Sequence, residues 1–235
     1  MTPRKHKIRA AFSAAAATYE AHGPVQELTA DAFAHRLKAL PVRGRALELG
    51  CGTGFFTRRM VDDRRPWVIS DLSPEMLEVC RASLPPLSNL SFRVVDGESP
   101  DVEGPFGLIC ANLAVQWFEK PKVSLSRLAD LLEPGGCLAL TTFGADTYPD
   151  WSLPTRSAYE GCFPLGGELT LEEERFPIIY PTLRDFLTAV KRIGAGTRAA
   201  ERPRLTTAQM RSRLEASPTP YPVTYQVFTA LWIKQ

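Results

Sequence analysis

The sequence has no apolar run approaching the ~18 residues that a bilayer-crossing helix needs, so no membrane span and no membrane partner are expected. It also lacks a strong charge of either sign. Twenty-eight basic and 26 acidic residues leave a net charge of +2, which does not demand a nucleic acid or an anionic surface as partner. The five cysteines, Cys51, Cys80, Cys110, Cys137 and Cys162, include no C-x-x-C pair, and an odd number cannot all pair. This suits reduced thiols, which are expected in a cytoplasm. Histidine is scarce and badly placed for catalysis: His6, His22 and His35 all fall in the first forty residues. Beyond them no imidazole, carboxylate pair or metal-ligand cluster offers an obvious base or metal site.

The first nineteen residues contain no leucine-rich run either. Arg4, Lys5, Lys7 and Arg9 precede the first acid, Glu20, and an alanine-rich run follows, a faint likeness to a targeting peptide. Ile8, Phe12, Ala15 and Tyr19 recur at helical spacing instead, which predicts an amphipathic helix. A second helical pattern fills Val25 to Leu40 and stops at Pro41. These helices hold all three histidines, read as solvated.

What the chain does have is alternation. Short apolar strands are predicted at 45–50, 66–71, 90–96, 106–112 and 138–143. Helices are predicted at 55–63, from Ser73 to the prolines at 85–86, and at 123–132, ending at "EPGG". This order implies an α/β fold with a doubly wound parallel sheet. The last third is less regular. A helix is expected over 150–160, an acidic run stands at Glu172–Glu174, and a short strand is expected at 176–180. Helices at 183–193 and 206–214 and a long closing strand, "YPVTYQVFTALWIK", complete the chain. An apolar fraction of 44% supplies a core, and no linker or repeat divides residues 1–235, so one domain is expected.

In such sheets ligands sit beyond the carboxyl ends of the strands, near the reversal of strand order. The first strand runs into "LELGCGTGFF", residues 47–56. A dinucleotide loop needs glycine at its first, third and sixth positions; here Gly50, Gly52 and Gly54 stand first, third and fifth. Glu48 is two residues ahead of the loop, where a pyrophosphate would meet its charge. A ligand with an ammonium and a positive centre suits it better, and S-adenosylmethionine has both. Asp71, 21 residues after Gly50, lies at the spacing of a ribose acceptor. Asp96 is placed to accept from an adenine amino group, and Asn112 to face the amino-acid part. Cys51, Leu72 and Gly97 complete the candidate set. Taken singly, each strand-ending aspartate is equally a helix cap or turn residue.

"ALELGCGTGFFTRRM", "VISDLSPEMLE", "VVDGE" and "LEPGG" resemble the class I S-adenosylmethionine-dependent methyltransferases over residues 45–144. The resemblance implies a seven-stranded sheet with its last strand antiparallel. Adenine- and glutamine-methylating members place N-P-P-Y/F after the fourth strand; this chain has "NLAVQW" there. The flanks "KIRAAFSAAAATYEAHGPVQ", "ANLAVQWFEKP", "TTFG", "FLTAVKRIGAG" and "YPVTYQVF" resemble the malonyl-acyl carrier protein O-methyltransferases of biotin synthesis. That likeness implies methylation of the free carboxylate of a malonyl thioester on acyl carrier protein. It implies helices within residues 1–40 forming a lid over a 45–144 cofactor core, with 145–235 on the substrate side. Tyr19, Gln26, Gln116 and Trp117 become lid or substrate candidates.

A carboxylate acceptor, with a pKa near ~4, is already ionised at neutral pH, so the missing base is consistent and no catalytic side chain is expected. Glu48 stands where the family commonly has aspartate, and residues 146–174 match little. Lys191–Arg213 carries seven basic residues and one acid. Alone it reads as a solvated face; under the resemblance it is a candidate face for an acidic carrier, and one of its arginines, Arg175 or Arg184 a candidate carboxylate grip. Two alternatives remain: a small-molecule carboxyl or phenol O-methyltransferase, and a non-catalytic protein associating with nucleic acid through the basic stretch. The second is weighed against the expected absence of a nucleic-acid partner.

Overall fold

The computed structural model describes residues 1–62, 64–147, 151–196 and 206–235. Seven strands, β1 (Ala46–Leu49), β2 (Trp67–Asp71), β3 (Leu90–Val94), β4 (Phe106–Ala111), β5 (Leu132–Phe143), β6 (Gly167–Tyr180) and β7 (Tyr221–Lys234), form one sheet. Their order is β3-β2-β1-β4-β5-β7-β6. The first five pair in parallel, and β7 runs antiparallel to both β5 and β6. The closing strand is the antiparallel member, as the sequence implied.

The apolar runs form buried strands because alternate side chains enter two different cores. Leu47, Leu49, Ile109 and Ala111 meet Leu125 and Leu128 of α6 (Pro121–Asp130) on one face. Ala46, Leu108, Cys110 and Ala139 meet α3 (Pro24–Lys38) and α5 (Pro74–Ala82) on the other. Ser73 starts α5: its Oγ accepts from the Met76 backbone N–H at 3.2 Å, with Pro74 in the first turn. Thr2 starts α1 (Pro3–Ala15) in the same way through the Lys5 N–H.

The N-terminal helices divide. Ala30, Phe33, Ala34 and Leu37 of α3 are buried in a main core, so α3 is a layer of the sandwich. The helix α1 and the short α2 (Tyr19–His22) lie over the strand ends, where Ala15 and Ala16 pack on Met76 of α5.

Several boundaries differ from the sequence reading. After the glycine loop only α4 (Thr57–Met60) is helical, not 55–63. Arg59 is bound by Asp31 of α3 and by the Phe55 carbonyl, which fixes this segment against α3. The "EPGG" segment belongs to β5, where a register shift opposite Phe106–Leu108 accommodates it. The helix expected at 150–160 is α7 (Arg156–Glu160), and residues 148–150 lie outside the described ones. The strand expected at 176–180 spans all fourteen residues of β6 and contains the acidic run. Leu171 faces the core while Arg36 of α3 pairs with Glu172 and Glu174, an arrangement that an edge strand permits. Helices α8 (Leu183–Arg192) and α9 (Thr207–Ala216) stand close to expectation, with a Thr206–Gln209 capping box on α9.

Candidate active site

Strand order reverses between β1 and β4, and the chain leaving these two strands opens a crevice. Gly50 follows β1 with φ +68°, and a Cβ there would stand 2.6 Å from Cβ of Ala114 in the loop after β4. Only glycine fits this conformation at this approach. Gly54 serves differently: a Cβ would meet Ser83 Oγ at 3.0 Å and Cys80 Sγ at 3.1 Å, so it seats the loop on α5. Above the crevice is a cleft of about 740 Å³, walled by the strand ends on one side and by Lys5, Ile8, Phe12 and Tyr19 on the other.

Asp71 ends β2 inside this cleft. Its Oδ2 accepts the Gly52 N–H at 2.9 Å and its Oδ1 the Ser73 N–H at 2.8 Å. It therefore ties the glycine loop to the start of α5, with the Leu72 N–H as a weaker third backbone donor. Burial pushes its carboxyl up to about 6, against the lowering effect of those backbone donors. Asp96 follows β3 and is bound through both oxygens by Lys5 Nζ, at 2.7 and 2.5 Å. Asn112 accepts from Thr141 Oγ1 at 2.8 Å and faces the cleft.

Glu48 lies deeper, 1% exposed, in a recess that shares Gly50, Gly52, Asn112 and Tyr19 with the cleft. Thr57 Oγ1 donates to its Oε1 at 3.0 Å, while Oε2 is buried without a hydrogen-bond partner. Burial pushes the carboxyl well above the usual range, and the Thr57 hydrogen bond only partly offsets this. A carboxylate oxygen in that position is completed by a cationic donor.

A second chamber of about 590 Å³ adjoins the cleft through Phe12, Tyr19, Leu113 and Trp117. Leu113 turns the chain between the two with φ +51°, a conformation costing roughly 1–2 kcal/mol for a non-glycine residue. Thr141 Oγ1 accepts its N–H and Gln116 Nε2 donates to its carbonyl, which hold it there. The far walls are apolar and aromatic: Val25, Phe143, Trp151, Val190 and Ile193. Their polar punctuation is specific. Gln26 Oε1 and Gln116 Oε1 are buried without hydrogen-bond partners. The hydroxyls of Tyr180 and Tyr225 bond each other at 2.9 Å, one donating and one accepting, so one of their two hydroxyl protons is not used in the mutual bond; burial raises the pKa of both. His22 lines the mouth of this chamber, a departure from its reading as merely solvated. Its Nδ1 lies 2.9 Å from the Thr18 carbonyl and its Nε2 3.5 Å from Arg192.

Most sequence-marked residues converge. Gly50, Gly52, Asp71, Leu72, Asp96, Gly97 and Asn112 wall the cleft together with Tyr19 and Trp117. Glu48, Cys51 and Gln26 line the recess, and Gln116 the chamber. Gly54 is packed on α5 instead. Of the candidate carboxylate grips, Arg175 is engaged by Asp146 and Glu173; Arg198, Arg202 and Arg204 lie outside the described residues. Sequence reasoning missed Lys5, Glu98 and Leu113. The i to i+3 spacing of Lys5 and Ile8, on the same helical face, was the available signal for the first. Among the described residues no cluster of metal ligands occurs, and no helix is long and apolar enough to cross a membrane.

Residues 46–136 match the family described as "Methyltransferase domain". Among solved structures, a methyltransferase from Bacillus halodurans C-125, titled as putative, shares the fold. It has a TM-score of 0.67, 16% identity, and covers 86% of this chain and 97% of that one. A Magnetococcus marinus protein named malonyl-acyl-carrier-protein O-methyltransferase is 33% identical over 86% of this chain and 82% of its own length. The biotin biosynthesis bifunctional protein BioCD of Bordetella avium is 36% identical over the whole of this chain, which spans 54% of that protein. The chain therefore belongs to the malonyl-acyl-carrier-protein O-methyltransferase family.

Proposed function

We propose that the protein methylates the free carboxylate of a malonyl thioester on acyl carrier protein, with S-adenosylmethionine as methyl donor. The observation that carries this reading is the pairing of a cleft lined by Gly50, Asp71, Asp96 and Asn112 with an aromatic-walled chamber behind Tyr19 and Leu113, in a chain of this family.

The residues present fit the cofactor. Glu48 Oε2 is a buried carboxylate oxygen in need of a cationic donor, suited to the ammonium. Asp71, at the end of β2 in the cleft, suits ribose hydroxyls as an acceptor, and Asp96 suits the adenine amino group. Gly50 and Gly52 let backbone approach without side chains. When bound, S-adenosylmethionine supplies an electrophilic methyl group on a positively charged sulfur.

The chain's own residues do the remaining work. Phe143, Trp151, Val190 and Ile193 exclude water from the acceptor's carboxylate, raising its reactivity. Tyr180 and Tyr225 offer one hydroxyl proton to orient it. The buried amides of Gln26 and Gln116 fix the polar end of the chamber. No proton is removed, so Tyr19 and the other hydroxyls act as walls and donors rather than bases. Their task is positioning, where about 1 Å of misplacement costs on the order of a hundredfold in rate.

The test is incubation with methyl-labelled cofactor and malonyl-acyl carrier protein, alongside free malonate and a panel of small acids and phenols. Alkali-labile label on the carrier thioester is expected. Faster turnover of a free acid or phenol would replace this acceptor while keeping the cofactor assignment.

A further inference from the structure

Lys5 has no part in the chemistry described so far, yet its ammonium sits in the cofactor cleft. It comes from the first turns of α1, with a side chain 11% exposed. Nζ meets Asp96 Oδ1 at 2.7 Å, Asp96 Oδ2 at 2.5 Å and Glu98 Oε2 at 2.8 Å. An ammonium has three protons, and all three are engaged. Glu98 is itself immobilised, since its Oε1 accepts from the Lys120 N–H at 2.7 Å and from Ser124 Oγ at 3.1 Å at the start of α6. Asp96 Oδ1 also takes the Glu98 N–H at 3.1 Å. Asp96 Oδ2 has Lys5 alone, so a lone pair remains on it at the cleft.

We propose that Lys5 is the specificity-determining residue for the base of the cofactor, and that it couples base recognition to closure of α1. It holds Asp96 as a fixed acceptor for a purine 6-amino group. Because its own protons are spent on Asp96 and Glu98, it has none to give a 6-oxo group. A 6-oxo purine would set acceptor against acceptor in a half-buried corner, and such a mismatch is strongly rejected. Remove Lys5 and two carboxylates share that corner without a counter-charge, so the Asp96 side chain is no longer held in place. The same contacts pin α1, so a base that completes Asp96 also fastens the helix that roofs the cleft. This inference rests on the cofactor reading above, and within that reading makes Lys5 a positioning residue acting through Asp96.

The experiment needs no acceptor. Calorimetric affinities for S-adenosylhomocysteine and for its 6-oxo counterpart, S-inosylhomocysteine, are compared in the wild-type protein, Lys5→Met and Lys5→Arg. The wild type is expected to favour the amino ligand by about tenfold or more, the scale of one hydrogen bond to a charged group. Lys5→Met should bring the ratio to within about threefold of unity, mainly by weakening the amino ligand. Lys5→Arg should keep most of the preference. An unchanged ratio in Lys5→Met, whether both ligands weaken equally or neither does, overturns the proposal. Asp96→Asn is the second variant: it should lose the same preference, and adding Lys5→Met to it should change the ratio no further. Amide exchange in α1 should slow with S-adenosylhomocysteine in the wild type and not in Lys5→Met. If the wild type binds neither ligand, the cofactor reading fails and this proposal with it; if it binds both equally, only this proposal fails.

Discussion

Asp71→Asn should make the apoprotein more stable at neutral pH and a weaker cofactor binder. In the folded chain burial raises the Asp71 carboxyl from 3.8 to about 6. The difference is roughly 2 units, and at about 1.4 kcal/mol per unit the ionised carboxylate costs the fold about 3 kcal/mol at pH 7. The sign follows from proton binding. The folded state holds the proton more tightly, so between about pH 4 and pH 6 it carries more protons than the unfolded chain, and stability falls as pH rises through that window. Asparagine cannot ionise and escapes this cost. It keeps one oxygen for the Ser73 N–H but presents an N–H₂ to the Gly52 N–H, losing about 1–2 kcal/mol. The net gain is about 1–2 kcal/mol, or about 2–8 °C in melting temperature for a chain of this size. Urea unfolding from pH 4 to pH 8 measures it: the variant should be the less stable protein at the acid end, where the lost Gly52 hydrogen bond stands alone, the two profiles should cross at about pH 5, and the variant should be the more stable above pH 6. Cofactor affinity should fall by about tenfold or more, the contribution of a charged acceptor to ribose hydroxyls. If Asp71→Asn is less stable at every pH, with a parallel profile, the buried charge is not the controlling feature of this residue.

Glu48→Gln should weaken S-adenosylhomocysteine by about tenfold or more, because the buried Oε2 loses its charge. In the wild type, affinity should rise with pH as the raised Glu48 carboxyl ionises beside a cation. Titrations in buffers of different ionisation enthalpy should show proton release that the variant lacks, and equal proton counts would refute the role. Gly50→Ala combines a φ of +68° with a 2.6 Å approach to Ala114. A loss of about 2–4 kcal/mol in denaturant unfolding, together with abolished cofactor binding, is expected; a wild-type midpoint would show that the crevice yields. Val190→Trp fills the acceptor chamber from α8. It should lower kcat/KM for the acceptor by about tenfold or more while cofactor affinity stays within about twofold, since the cleft lies on the other side of Leu113. Equal losses of both would mean that the chamber and the cleft are one site.

The parts of this molecule legible in the sequence are those where one local rule decides. The β4 run is apolar on both faces and β1 is apolar but for Glu48, and a parallel sheet covered by helices is the economical way to bury them. Gly50 and Asn112, which follow those two strands, then meet at the reversal point, and Asp71 and Asp96, at the ends of the neighbouring β2 and β3, line the same cleft, so all four were findable from their places at strand ends. Where two effects compete, the reading slipped. Three consecutive glutamates look unlike a strand, but on the edge strand β6 they alternate between Arg36 of α3 and the Asp146–Arg175 side of the sheet. The basic first turn of α1 looks like a solvated or targeting segment until Asp96 and Glu98, more than ninety residues away, are folded beneath it. No periodicity reports such a pairing, because the helix face that carries Lys5 also carries Ile8 and Phe12 into the cleft. Gly54 shows the converse limit. It belongs to the loop pattern, yet its space is taken by Ser83 and Cys80 of the α5 segment, so a motif position can be required by packing and still face away from the ligand. Glu48 joins both cases. The sequence marked it as unsuited to a pyrophosphate, and the burial of Oε2 without a hydrogen-bond partner is the feature on which its proposed pairing with a cationic group rests.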